Sequence, residues 1–260
     1  MSELRKQSRL FGPLTREDIM AEEKKESTER LPDTRKFVNF LFYKVDPAWR
    51  RLPEAERKKG KEEFSIVVEK YKAMITTTTY SLVGIRGDCD MLLWRVAENM
   101  DDFQKMGSEL LSTGLGKWLS TPYSFMAMTR KSMYVDKHKH PGQEGTRLTV
   151  DPGKAKYLFI YPFVKTGDWY ALTKPARQVM MNEHIDVGHK YPSVKLNTTY
   201  SYGLDDQEFV VAFETDYPGD FQDLVMDLRH AETSRYTKRD TPIFSCIKQD
   251  LTDVLNSLGG

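Results

Sequence analysis

Apolar residues fall along this chain in runs of two periods. Phe37–Val45 (FVNFLFYKV) is almost continuously apolar and predicts a buried strand. A charged helix follows Pro53, because proline suits a helix's first turn. Phe64, Val67, Val68, Tyr71 and Ile75 then recur at helical spacing. Residues 76–84 are rich in Thr and Tyr and predict a strand, and residues 91–96 predict a second. Residues 101–112 predict a helix with Phe103, Met106 and Leu110 on one face. Pro141, Gly142, Gly145, Pro152 and Gly153 mark residues 136–153 as the loop between two halves.

The second half repeats the first. Trp49, Leu52 and Arg57 recur 120 residues later as Trp169, Leu172 and Arg177. Thr78-Thr79-Tyr80-Ser81 recurs at the same spacing as Thr198-Thr199-Tyr200-Ser201, and Asp102-Phe103-Gln104 recurs at 118 as Asp220-Phe221-Gln222. Three matches in order point to a duplicated unit. Each unit reads strand, helix, strand, strand, helix, with closing strands expected at residues 124–129 and 241–246. That is the ferredoxin-like plan. The expected fold class is α+β: duplicated ferredoxin-like halves whose antiparallel sheets pack face to face, a dimeric α+β barrel within one chain. The segments are a charged extension over 1–36, helical around residues 16–25; a first half over 37–135; the loop 136–153; and a second half over 154–255.

Composition narrows the function. Thirty-nine Lys and Arg against 38 Asp and Glu argue against a broad nucleic-acid surface or a polybasic membrane anchor. No apolar run is long enough to span a membrane. The first residues lack the apolar stretch of a secretory signal, so a cytoplasmic location is expected. The two cysteines, Cys89 and Cys246, have neither disulfide nor zinc spacing and read as buried reduced thiols.

Asymmetry between the halves locates candidate chemistry. His184 stands 120 residues after Phe64. A helix over residues 175–187 lines up Ala176, Met180, His184 and Val187 on one inner face. His189 lies about 140° further around a helix with about 100° per residue, and Gly188 is expected to end the helix between them. The two histidines therefore do not share a zinc ion, and Glu183-His184 is not the start of HExxH. One histidine on an apolar face with no second ligand fits the proximal ligand of a haem better than it fits zinc.

Four short motifs then resemble one family in order and spacing. Tyr161-Pro162-Phe163-Val164-Lys165, Trp169-Tyr170, Met181-Asn182-Glu183-His184 and Gly203-Leu204-Asp205-Asp206 are similar to the chlorite dismutase superfamily, in particular its coproheme decarboxylase branch. The resemblance covers roughly residues 37–250. It implies duplicated ferredoxin-like halves, a homopentamer, and oxidative decarboxylation of iron coproporphyrin III to haem b by hydrogen peroxide. His184 matches the proximal iron ligand, Tyr161 the tyrosine that becomes a radical, and Lys165 a lysine beside the reacting propionates. Arg229 and Ser234 match residues that hold propionates, and Arg147 is a further candidate contact. Such types suit a porphyrin rim with four carboxylates.

The distal side distinguishes the branches. Chlorite dismutases carry an Arg about thirteen residues beyond the proximal His; here that place is Leu196, beside Asn197. One decarboxylase branch has a small apolar residue there and a distal His in the loop between the halves. His138 and His140 are the candidates, with His140, before Pro141, the better match to that motif. A neutral imidazole there would take a proton from peroxide. Chlorite dismutation and haem binding without turnover are the alternatives.

Overall fold

The structure, a computed structural model, describes residues 35–134 and 150–259, which fall within the compact unit Arg35–Gly260. Most of the extension expected over 1–36, through residue 34, and most of the loop between the halves, with His138, His140 and Arg147, lie outside the described residues. No described helix is long and apolar enough to cross a membrane.

The first half runs β1 (Phe37–Val45), α1 (Glu54–Lys70), β2 (Ile75–Ser81), β3 (Met91–Ala97), α2 (Met100–Ser112) and β4 (Leu119–Met128). The second runs β5 (Tyr157–Lys165), the short α3 (Gly167–Ala171), α4 (Lys174–His189), β6 (Lys195–Tyr200), β7 (Phe209–Thr215), α5 (Pro218–His230), β8 (Thr237–Arg239) and β9 (Phe244–Lys248). A last helix, α6 (Leu251–Ser257), follows. Strand order is β4-β1-β3-β2 in the first half and β9-β5-β7-β6 in the second, the same ferredoxin-like arrangement twice.

Both sheets bury the same core on one face. Phe40, Phe42, Tyr80 and Trp94 from the first half meet Leu158, Ile160, Val210 and Phe244 from the second. The edges also join, β4 to β6 and β2 to β9, so eight strands close into one barrel. Closure removes the open edges that would otherwise template aggregation. Cys89 and Cys246 are free thiols buried in this core. One end is pinned by Arg86, which pairs with Asp88 through two nitrogens, donates to the carbonyl of Ile243 at 2.7 Å and stacks on Phe244.

Helices cover the outer faces. In the first half α1, α2 and α6 close over Leu41, Tyr43, Ile75 and Leu93. The packing is tight where α1 meets the Gly114–Leu115 turn: a Cβ on Gly60 would lie 2.7 Å from the Leu115 nitrogen. Helix α6, at the end of the segment assigned to the second half, packs on the first through Val254, Leu255 and Leu258. In the second half α4 and α5 cover Tyr161, Phe213, Phe221 and Leu224.

Hydrogen bonds repeat with the fold. Tyr71 donates to Glu109 at 2.8 Å, and Tyr191 donates to Asp227 at 2.9 Å. The Asp46 nitrogen bonds Trp118 O, and the Thr166 nitrogen bonds Tyr236 O. These pairs keep the spacings of 120 and 118. The Thr-Thr-Tyr-Ser match does not survive. Arg95 pairs with both Asn39 and Thr77, whereas its counterpart Phe213 pairs with Phe159 and Leu196, so β6 is offset by 119 from β2. A one-residue slip reverses every side chain: Tyr80 points into the barrel core, and Tyr200 packs on Phe209 instead. Boundaries also move: β4 is Leu119–Met128 rather than 124–129, and β2 is Ile75–Ser81 rather than 76–84. The last strand is Phe244–Lys248 rather than 241–246, and α4 continues through Gly188 to His189. Glycine weakens a helix interior by only about 1 kcal/mol, which the last turn tolerates.

Candidate functional site

The duplicated geometry makes one outer face unlike the other. In the first half Val45, Phe64 and Leu115 are fully buried members of a single apolar cluster. The matching positions of the second half, at the offsets set by strand register and by the repeated hydrogen bonds, hold Lys165, His184 and Thr233. Three apolar core residues are thus exchanged for three polar ones.

Those three are joined. The Thr233 hydroxyl lies 3.2 Å from Nδ1 of His184. The Lys165 ammonium donates to the Thr233 carbonyl at 2.9 Å. It also stands 4.8 Å above the Trp169 ring and 5.1 Å from that of Phe163. Glu208 fixes this strand end, accepting from the Lys165 backbone at 2.7 Å and from the Tyr170 hydroxyl at 2.6 Å. Glu183, beside His184, accepts from the Glu232 nitrogen at 3.1 Å and ties α4 to the turn that carries Thr233.

Electrostatics keep the histidine neutral. Burial pushes its pKa down to about 4; the Lys165 ammonium acts in the same direction and Glu183 against it. Burial likewise pushes Lys165 down to about 8, opposed by Glu208. When Nδ1–H donates to the Thr233 hydroxyl, Nε2 of the neutral ring keeps its lone pair, which is the state a metal requires. No group of three or more His, Cys, Asp or Glu side chains among the described residues could hold a metal ion.

The wall opposite is aromatic. Tyr161 is 9% exposed and stacks on Phe213 with centroids 6.0 Å apart. Phe213 leans on Phe221, which stacks on Phe159 at 4.2 Å. Burial holds the Tyr161 phenol well above its usual pKa; Asp240 adds to this and Arg229 opposes it. Arg229, at the end of α5, pairs with Asp240, and Ser234 donates to the Arg229 carbonyl at 2.9 Å. The α4 face bordering this wall is half-buried along its length, with no fully buried residue, whereas α1 buries Gly60, Lys61 and Phe64. Leu196 pairs with Phe213 on the site face and is 45% exposed, while Asn197 pairs with Ala212, faces the barrel core and donates to Glu214. The donor set fits a porphyrin: one neutral imidazole, an aromatic wall, and cationic and hydroxyl groups at the rim.

Tyr161, Lys165, His184, Leu196, Arg229 and Ser234 therefore belong to one face of the second half. Thr233, Glu208 and Asp240 were not legible in the sequence. Only the offset between Leu115 and Thr233 could have singled out the first of them.

A family model described as chlorite dismutase matches residues 57–249. The chain belongs to the chlorite dismutase family. It is 30% identical over 175 residues to the coproheme decarboxylase of Mycolicibacterium smegmatis, covering 67% of this chain and 73% of that one. It is 29% identical over 206 residues to the chlorite dismutase of Ideonella dechloratans, covering 78% and 72%. A mutant chlorite dismutase from Candidatus Nitrospira defluvii shares the fold with a TM-score of 0.79 at 26% identity, over 86% of this chain and 95% of that one. Family membership agrees with the duplicated α+β barrel read from both sequence and strand order. Its members named here carry out different reactions, so the reaction is argued from the site.

Proposed function

We propose that this family member binds iron coproporphyrin III through His184 and converts it to haem b by peroxide-dependent oxidative decarboxylation. The observation that carries the reading is the exchange of Val45, Phe64 and Leu115 for the bonded set Lys165, His184 and Thr233. Holding a half-buried lysine and histidine against buried Thr233 has no packing advantage over the apolar original and is accounted for by a ligand. The identity shared with a coproheme decarboxylase supports the choice of substrate.

The bound iron porphyrin would supply the redox chemistry, with hydrogen peroxide as oxidant. The chain's part is orientation and proton management. Thr233 holds the imidazole in one tautomer. Arg229 and Ser234 would hold rim carboxylates. Tyr161, its phenol kept protonated by burial, would yield a proton and an electron to the oxidant and then take a hydrogen atom from a propionate β-carbon. Each propionate with one peroxide gives one vinyl group, one carbon dioxide and two waters. Lys165 faces Thr233 and Trp169, so its charge acts beside the imidazole rather than at the Arg229 rim. The site face carries Leu196 where an anion-holding cation would serve chlorite, which favours decarboxylation over dismutation. A cytoplasmic homopentamer goes with this reading.

The test loads the full chain with iron coproporphyrin III, titrates peroxide and follows porphyrin mass. Two successive losses of carbon dioxide plus two hydrogens are expected. Unchanged mass with oxygen released from chlorite would replace this reading by dismutation.

A further inference from the structure

The outer face of the first half carries a buried charge that the packing does not explain. Arg95 in β3 is 4% exposed. It lies opposite Asn39 in β1 and opposite Thr77 in β2, so the three side chains form one row across the sheet. Arg95 donates through Nε and one terminal nitrogen to the side-chain oxygen Oδ1 of Asn39, at 3.2 and 2.6 Å. Asn39 in turn donates to the Ser124 hydroxyl at 3.1 Å and to the Phe125 carbonyl at 3.3 Å. The remaining terminal nitrogen, Nη1, is buried without a partner among the described residues, and so is the Thr77 hydroxyl. The row's matching positions in the second half hold Phe159, Phe213 and Leu196, so the polar set belongs to this half alone.

Among the described residues no carboxylate answers the guanidinium. The ionisable side chain among them that acts on it electrostatically is Tyr43, whose own burial pushes its pKa up and keeps it neutral. Burial lowers the Arg95 pKa only to about 10, which leaves it charged at neutral pH. The Phe103 ring, 5.0 Å away, offers a face but no counter-charge. A water molecule would satisfy the hydrogen bonds yet leave a full positive charge in the core, a costly state unless an anion shares the site. Side chains directly opposite on antiparallel strands share a face with Cβ atoms about 5 Å apart, close enough for one small ion to meet both.

We propose that the first half binds a chloride-sized monoanion held between Arg95 Nη1 and the Thr77 hydroxyl. The site is separate from the His184 face and does not depend on the porphyrin reading. Crystals of the wild-type chain in sodium bromide, measured at the bromine edge, are expected to show an anomalous peak at hydrogen-bond distance from Arg95 Nη1 and Thr77 Oγ1. In solution, urea unfolding in sodium chloride against sodium gluconate at constant ionic strength gives the second readout. Above the dissociation constant, the apparent folding constant should rise about tenfold per tenfold increase in chloride. Arg95→Met should flatten that dependence, and Thr77→Val should weaken it. Anomalous density lacking at Arg95, or equal unfolding midpoints in the two salts, overturns the proposal. Should Arg95→Met fail to fold, the bromide measurement on the wild-type chain decides.

Discussion

The hydroxyl of Thr233 lies 3.2 Å from Nδ1 of His184, across forty-nine residues of chain. The bond fixes the ring's orientation through a turn that Glu183 also anchors. Where the first half needs only shape, with Leu115 in the Phe64 cluster, the second half needs direction, and a hydrogen bond supplies it.

Removing that bond should loosen the ligand without unfolding the chain. Thr233→Val keeps the volume and the carbonyl that receives Lys165. Partners behind a metal ligand are worth about 10–100-fold in affinity. A loss of that size in iron porphyrin binding, read by absorbance titration with an unchanged unfolding midpoint, is the expected result. His184→Ala should lose the axial spectrum altogether.

Tyr161→Phe should preserve porphyrin binding and the stack on Phe213, because the ring remains. Decarboxylation should fall by at least about 100-fold, since no phenol is left to carry the radical. Mass spectrometry of the porphyrin after peroxide measures this directly. Decarboxylation at the wild-type rate would remove Tyr161 from the mechanism.

Leu196→Arg tests the anion argument. The position is 45% exposed, so stability should change by no more than about 0.5 kcal/mol. A guanidinium on the site face should raise the affinity of the loaded protein for small anions such as azide by roughly tenfold, the effect of about 1.4 kcal/mol.

The two halves should differ in what they tolerate. Phe64→His places an imidazole in a cluster without an equivalent of Thr233. It should cost roughly 3 kcal/mol or more and create no porphyrin site. Urea unfolding and an absorbance titration check the two parts separately.

Barrel closure carries a pH signature. Arg86, then Tyr123, hold the Asp88 carboxyl down at about 2 against an ordinary value of 3.8. A depressed carboxylate contributes stability that is present above the unfolded value and disappears as pH falls through the folded one. Asp88→Asn should therefore cost roughly 1 kcal/mol at pH 7, given the pair's partial exposure to solvent. The difference from wild type should close between about pH 4 and pH 2, as unfolding midpoints across that range would show.

Much of the architecture was legible because it is local. Strand and helix periods depend on neighbours two to four residues apart, so β1, β3 and α2 appear in the sequence nearly at their true bounds. The duplication was legible too, since Trp49 and Trp169 or Phe103 and Phe221 do the same packing work twice. His184 could be singled out because it breaks that repetition at Phe64. Register was not legible. Identical Thr-Thr-Tyr-Ser segments point Tyr80 into the barrel core and Tyr200 away from it, because which face a strand buries is set by its pairing partners. For the same reason, Leu196 rather than Asn197 faces the site.

The sequence by itself determined the element types, the twofold plan and the one histidine that the plan does not require. Tertiary structure alone decided that Thr233 meets both His184 and Lys165, that Arg229 finds Asp240, and that Arg95 is buried without a counter-charge among the described residues. Each of these joins residues distant in the chain, and only strand pairing and helix packing bring such groups within a few ångströms. Periodicity records which face a residue occupies; it carries no information about which distant side chain waits there.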